Sequence, residues 1–339
     1  MRLEDIDYPL PDSAIAQTPI EPRDAARLLI DRGADDPGDD HVRNLVSYLE
    51  PGDYLVVNNT RVMAARLALQ RSTGGAVEVL LLEPLDEDEL CWTALVRPGG
   101  KLRPGELLRD ANSADVAAFV GRSESDPDTF EVAFSGRGEA RKLMAASGVM
   151  PLPPYIQTRL NDPSRYQTVF ANSERSAAAP TAGLHLTSAL MASIRAKGIE
   201  IGEVELVVGL GTFKPVTADN PLDHEIHAET YTVPEEVLRK CSSAKRVVAV
   251  GTTAVRALES AATSGELSGK TSLFIHRGYE WKVVDLMLTN FHMPRTSLLL
   301  MVDSFVGDRW RRLYSTAFER GYRFLSFGDA MLLNRHLSE

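Results

Sequence analysis

Cysteine is nearly absent: the 339 residues hold two, Cys91 and Cys241, far apart and in no CxxC pattern. That spacing excludes a disulfide framework and a thiolate zinc site. No apolar run approaches the roughly 18 residues of a membrane span, and the opening stretch MRLEDIDYPL lacks the apolar core of a signal peptide. A cytoplasmic protein without a membrane partner is expected. Positive charge is also in short supply, with 37 Lys and Arg against 47 Asp and Glu and a formal net charge of −10. General nucleic-acid binding relies on clustered cations that neutralise phosphates, so only a local basic patch stays open. Arg309, Arg311 and Arg312 on an expected helix form one candidate, and Arg97, Lys101 and Arg103 beside a glycine turn form another. Charge runs more often solvate a face.

What is present is an ordinary globular composition, 44% hydrophobic and 25% charged. The length makes two domains the default expectation, with a monomer as the simplest state. Residues 53–59, DYLVVNN, read as a buried strand after the Pro51-Gly52 breaker. Between 61 and 139 the texture is β-rich: AVEVLLLEPL, LCWTALVRP and TFEVAFS alternate with Gly, Pro and Asp turns. This predicts a small antiparallel barrel or sandwich inserted into an α/β body made of 1–60 and 140–339. In that body EARKLMAAS and TSALMASIRAKG are expected helices, and IEIGEVELVV and RVVAVG are expected strands. TAVRALESAA is an expected helix capped by Thr252, TSLFI and SLLLMV are expected strands, and DSFVGDRWRRLYSTAFERG is an expected single amphipathic helix.

Six stretches carry candidate chemistry. AAAPTAGLHL (177–186) ends in His185 after the smallest residues available, which let a ligand approach the backbone. GLGTFKPV (209–216) has two glycines but not the third glycine of a dinucleotide fingerprint. DHEIHAE (223–229) places His224, His227 and Glu229 together. A helix would align the two histidines as metal ligands but not Glu229; acid–base work or hydroxyl binding is the stronger reading, and a polar loop is the alternative. GTTAVRALES (251–260) reads as a helix start at which backbone N–H groups, Thr252 and Thr253 meet an anionic group, with Arg256 one turn in, free for a ligand or paired to Glu259. TNFHMPRTS (289–297) puts Asn290 and His292 on a loop, and Asp329 in FGDAM serves a ligand or caps a helix.

In order along the chain, the blocks DYPLPDSAIAQTP, VVNNTRVMAARL, MPLPPYI, YQTVFA, APTAGLHL, VGLGTFKPV, HEIHAE, VAVGTTAVRALES, VDLMLTNFHMP and YRFLSFGDAM resemble those of the S-adenosylmethionine:tRNA ribosyltransferase-isomerase family. The resemblance covers nearly the whole chain. It implies a distorted, barrel-like α/β body with an inserted small antiparallel β-barrel, and S-adenosylmethionine as ribosyl donor with no metal or other cofactor. The implied acceptor is 7-aminomethyl-7-deazaguanine in tRNA; adenine and methionine leave and epoxyqueuosine forms. The sulfonium acidifies the ribose C5′–H, so a positioned base can form an ylide, expel adenine and let the acceptor amine attack. On this resemblance His185, His227, Glu229 and His292 are the expected catalytic groups. Thr181, Gly183, Gly209, Gly211, Thr212, His224, Thr252, Thr253, Arg256, Asn290 and Asp329 are the expected substrate-binding residues. Departures from the family pattern are Val149 and Val207 where histidine is usual, Arg277 in place of proline, the run Ser176-Ala177-Ala178-Ala179, and Arg295-Thr296-Ser297. A tRNA enzyme, a paralogue that uses the same donor on a small-molecule acceptor or in a truncated reaction, and a non-catalytic S-adenosylmethionine binder all stay open at this point.

Overall fold

A computed structural model describes residues 1–110, 115–124, 128–209, 216, 218, 220–224 and 226–337, with the side chain of Asp115 outside that set. The chain forms two units, a larger one of Met1–Arg61, Pro153–Ser173 and Ala179–Glu339, and a smaller one of Val62–Leu152 and Glu174–Ala178. The chain therefore folds as an α/β protein with an inserted antiparallel barrel.

In chain order the first strands are β1 (Arg27–Ile30), β2 (Gly38–His41), β3 (Asp53–Asn58) and β4 (Thr60–Val62). The smaller unit follows with β5 (Arg66–Arg71), β6 (Ala76–Pro84), β7 (Cys91–Arg97), β8 (Glu106–Asp110), β9 (Asp115–Arg122) and β10 (Phe130–Ala133), closed into a barrel in the order β10-β7-β6-β5-β8-β9. Alternate residues of CWTALVR are buried in β7, and Trp92 is fully enclosed, the two-residue period of a strand with one face inward. Helix α1 (Glu139–Ser147) belongs to this unit, which continues to Leu152 where the β-rich texture stops at 139. A helix packed against barrel strand β5 is invisible to a boundary drawn from β periodicity. The turn after α1 needs glycine: a Cβ on Gly148 would lie 1.9 Å from the Ala64 carbonyl oxygen.

Strand β11 (Ser173–Ser176), most of it in the smaller unit, pairs with β4 as a separate two-stranded sheet, and the larger unit then continues with α2 (Ser188–Ala196), β12 (Glu200–Leu206), β13 (Glu229–Thr232), α3 (Glu235–Ser243), β14 (Arg246–Val250), α4 (Gly251–Ser264), β15 (Ser268–Thr271), β16 (Leu286–Asn290), α5 (Ser297–Val306), α6 (Arg309–Glu319) and β17 (Ala330–Asn334). Its nine-stranded sheet runs β15-β13-β12-β3-β14-β16-β17-β1-β2, with β12, β3, β14 and β16 parallel. Both faces are covered, as parallel strands require. Tyr54, Val56, Val247 and Ala249 join α3, α4, α5 and α6 on one side, while Leu55, Val57, Val248 and Val250 join α2 on the other.

Four local expectations are corrected. SLLLMV is helical and forms most of α5, because Thr296 caps the helix by accepting from the Leu299 N–H and because short apolar runs do not by themselves distinguish strand from helix. The expected single helix over 303–321 is divided at Gly307, whose φ of +63° ends α5 before α6 begins. The TSLFI strand stops at Thr271. The cap of α4 is Val250, with Gly251 at φ +87°, so Thr252 and Thr253 sit inside the first turn. Of the α6 arginines only Arg309 is buried, paired with buried Asp31 at 3.1 Å; Arg311 and Arg312 are exposed, Arg311 donating to the Asp5 carbonyl and Arg312 to the Ala34 carbonyl at 2.6 Å. No helix among the described residues is long and apolar enough to cross a membrane.

Helix α4 is buried from Gly251 to Ala261, and Glu259 within it is wholly enclosed. Its carboxylate accepts from the backbone N–H groups of Lys282, Val283 and Val284 and from the Tyr279 hydroxyl, the contacts all near 3.0 Å. Glu259→Gln would turn an NH2 toward this ring of donors. We expect it to lower stability by about 2–4 kcal/mol in equilibrium urea unfolding; a loss below ~0.5 kcal/mol would show that the carboxylate is not anchoring the helix.

Candidate active site

Ligands of open parallel sheets gather at the carboxyl ends of the strands. Here β12 ends at Leu206, β14 at Val250 and β16 at Asn290, and the residues at and after these ends line one cleft. Val208, the turn 251–253 and the segment 289–293 form its floor, and residues 179–182 with Tyr155, Leu325 and Ser326 form its wall. A smaller second lobe contains Glu229, Arg256 and Phe274 and shares Thr252, Thr253 and Leu298 with the first. The N-terminus of α4 lies at the junction. Its unpaired N–H groups and positive dipole end favour an anion there.

The smaller lobe is built around a buried ion pair. Glu229 Oε2 accepts from Arg256 at 2.6 Å and Oε1 from the Gly209 N–H at 3.0 Å. The other Arg256 amino nitrogen reaches the carbonyls of His227 at 3.3 Å and Thr271 at 3.2 Å. Arg256 thus pairs with Glu229 across the lobe rather than with Glu259 on its own helix. Among the described residues, Arg256 Nε and Thr253 Oγ1 are buried without a hydrogen-bond partner. Buried polar atoms left unpaired in this way cost stability unless a ligand or water completes them.

The larger lobe brings together Thr181, Asn290, His292, Thr252 and Thr253 of the expected residues. His185 is not among its lining groups; it sits behind Asn290, with its Nε2 3.2 Å from Asn290 Nδ2. Gly183 has a packing role, since a Cβ there would come within 2.7 Å of the Phe170 ring. Asp329 is buried and accepts from the backbone N–H groups of Arg27 at 2.9 Å and Arg323 at 2.8 Å. His224 turns its ring toward Phe274 with centroids 6.5 Å apart, and the backbone at 226–228 is not helical, so the histidine pair of HEIHAE is not aligned. Gly211 and Thr212 lie outside the described residues. Val149 is 61% exposed, and neither it nor buried Val207 is among the residues found lining the cleft. Reading single residues missed the hydroxyl pair Tyr155–Ser326, at 2.6 Å, and Thr289. Their only signal was membership of the MPLPPYI, LSFGDAM and LTNFH blocks.

Both buried histidines are held neutral. Burial pushes His185 down to about 4, with Asp329 opposing the effect and Arg323 and Arg23 adding to it, and burial alone takes His292 to about 3. Thr289 Oγ1 meets His292 Nε2 at 2.9 Å, while the Tyr314 hydroxyl and the Tyr8 hydroxyl hold the His292 N–H and carbonyl. An unfolded chain protonates these rings near 6.5, so between that pH and about 4 it binds more protons than the native state. Stability is therefore complete above pH 7 and falls as pH drops through 6 and 5. Melting curves from pH 7.5 to 4.5 should show this decline, and His185→Gln should flatten it; an unchanged slope would mean that the ring is not neutralised by burial.

A model of the family described as queuosine biosynthesis protein matches residues 3–333. The S-adenosylmethionine:tRNA ribosyltransferase-isomerase of Symbiobacterium thermophilum is 46% identical over 98% of this chain and all of its own length. The protein of that name from Rubrobacter xylanophilus is 47% identical, covering 98% of each chain. The crystal structure of the S-adenosylmethionine tRNA ribosyltransferase of Thermotoga maritima is 36% identical, covers 97% of this chain and 99% of its own, and superposes with a TM-score of 0.55. With identity at this level along almost its whole length, the chain belongs to the S-adenosylmethionine:tRNA ribosyltransferase-isomerase family of queuosine biosynthesis proteins.

Proposed function

We propose that this protein transfers the ribosyl group of S-adenosylmethionine to 7-aminomethyl-7-deazaguanine in tRNA and isomerises it to epoxyqueuosine, releasing adenine and methionine. The observation that carries this reading is the two-lobed cleft with the α4 N-terminus at its junction and two unpaired buried polar atoms, Thr253 Oγ1 and Arg256 Nε, in the smaller lobe. S-adenosylmethionine is a two-ended molecule with an anionic carboxylate at one end. The smaller lobe takes the amino-acid end, with Thr252, Thr253 and Arg256 toward the carboxylate and Glu229 toward the ammonium. The larger, more apolar lobe takes the adenosyl end.

His292 lines the adenosyl lobe and stays neutral at working pH. It can take a proton only transiently, which suits a group that passes the C5′ proton on rather than keeping it. Glu229 is committed to Arg256 and Gly209, so it holds the donor in place rather than moving protons, and His227 contributes a carbonyl to the same arrangement. No metal or second cofactor enters the scheme.

Purified protein incubated with S-adenosylmethionine and tRNA bearing 7-aminomethyl-7-deazaguanine should release adenine and methionine and shift the tRNA mass to that of epoxyqueuosine. Adenine release without tRNA modification would replace the proposal with a paralogue acting on another acceptor, and binding without turnover would replace it with a sensor. His292→Ala should lower kcat by about 10²-fold or more while S-adenosylmethionine still binds; turnover within a few-fold of wild type would remove His292 from the mechanism.

A further inference from the structure

The hydrogen bonds around Asn290 have only one consistent polarity. Its Nδ2 lies 3.2 Å from His185 Nε2, 3.2 Å from the Leu325 carbonyl and 3.5 Å from the Asp329 carbonyl, and its Oδ1 lies 2.9 Å from Thr181 Oγ1. Turning the amide over would set Oδ1 against two carbonyl oxygens, which cannot donate. Nδ2 is therefore the donor, and His185 Nε2 must accept from it, which leaves the ring neutral with its proton on Nδ1. Oδ1 must in turn accept, so the Thr181 hydroxyl spends its single proton on Asn290. Leu325 is held at φ +66°, in the left-handed region that a leucine rarely adopts. In that conformation its carbonyl meets Asn290 and its N–H donates to the Phe291 carbonyl at 3.2 Å.

Thr181 and Asn290 line the larger lobe, and His185 does not. We infer that Thr181 Oγ1 faces the cleft as an acceptor only and orients an O–H or N–H donor of the substrate, and that His185 is a positioning residue that sets this polarity through Asn290 rather than an acid or base. The inference rests on the reading of the cleft as an S-adenosylmethionine site and adds the chemistry of one contact to it. Two substrate donors fit: a ribose hydroxyl of the adenosyl group, and the amine of the acceptor base.

The hydrogen-bond polarity is tested without any ligand. Histidine ¹⁵N spectra of wild type, with His185 assigned by its loss in His185→Gln, should show a neutral Nδ1–H ring that does not titrate between pH 5 and 8, although Asp329, Arg323 and Arg23 face it. An Nε2–H tautomer, or titration in that range, overturns the inference. The contact is tested by calorimetry and kinetics. Thr181→Val should weaken S-adenosylmethionine about tenfold, the scale of one lost hydrogen bond, with no further loss for whichever 2′- or 3′-deoxy analogue lacks the partner hydroxyl. Unchanged donor affinity with a tRNA KM raised about tenfold assigns the contact to the acceptor amine; no change in either sinks it. His185→Leu should behave like Thr181→Val, and His185→Gln, which keeps an acceptor near Nε2, should stay within about threefold of wild type with an unaltered pH–rate profile. Equal loss in both His185 variants, with one limb of the profile gone, restores an acid–base role and overturns positioning. Wild type that fails to bind S-adenosylmethionine removes the donor assignment, whereas the tautomer result stands or falls separately.

Discussion

The ion pair between Glu229 and Arg256 is the contact on which the site's geometry depends. A charge taken out of water has to be matched nearby, and Arg256 is matched by Glu229 on β13, three places along the sheet from β14, the strand that leads into α4. Its guanidinium therefore ties α4 to β13 through Glu229 and to the end of β15 through the Thr271 carbonyl. From the other end of α4, Glu259 binds the chain at 282–284 as it approaches β16. Between these two carboxylates the helix has little freedom to slide. Its first turn is consequently held at the ends of the parallel strands, where a dipole can act on a ligand.

The same burial that fixes the helix removes charge from the histidines. His185 and His292 lie where an imidazolium would be poorly solvated, and both stay neutral at ordinary pH. For the cationic sulfonium donor proposed above this has a direct consequence. A protonated ring beside the sulfonium would repel it, while a neutral ring and an acceptor-only hydroxyl offer lone pairs. On that proposal the positive end of the α4 dipole is turned toward the donor's carboxylate.

Much of the architecture was legible in the sequence because it rests on period. The alternation in CWTALVR and the fully apolar runs in β3 and β14 announce a barrel and a sheet covered on both faces. What period could not decide is length and environment: SLLLMV has no alternation to choose between strand and helix, and Gly307 breaks a helix whose amphipathic pattern continues beyond it. In the site, residue types pointed to the right segments but not to the right faces. AAAPTAGLHL supplies the wall of the cleft through Thr181 while His185 turns away behind Asn290. Arg256 found its partner across 27 positions of sequence rather than three, a pairing that only the sheet order produces.

The position of His292 shows how far the site's supports extend. Its backbone is clamped by two phenols from opposite ends of the chain, Tyr8 on its carbonyl and Tyr314 on its N–H, and these rings meet edge to face with centroids 5.0 Å apart. Three residues on, Arg295 stands at φ +56°, its N–H donating to the Ile6 carbonyl at 2.9 Å and its side chain paired with Asp7. The N-terminal segment thus crosses the loop that bears His292 and makes three separate ties to it. An arginine in a left-handed conformation is strained, so these ties oppose a backbone that would otherwise relax. The DYPLP block, nearly three hundred residues from NFHMPR in sequence, thus holds that loop in space through the contacts of Ile6, Asp7 and Tyr8.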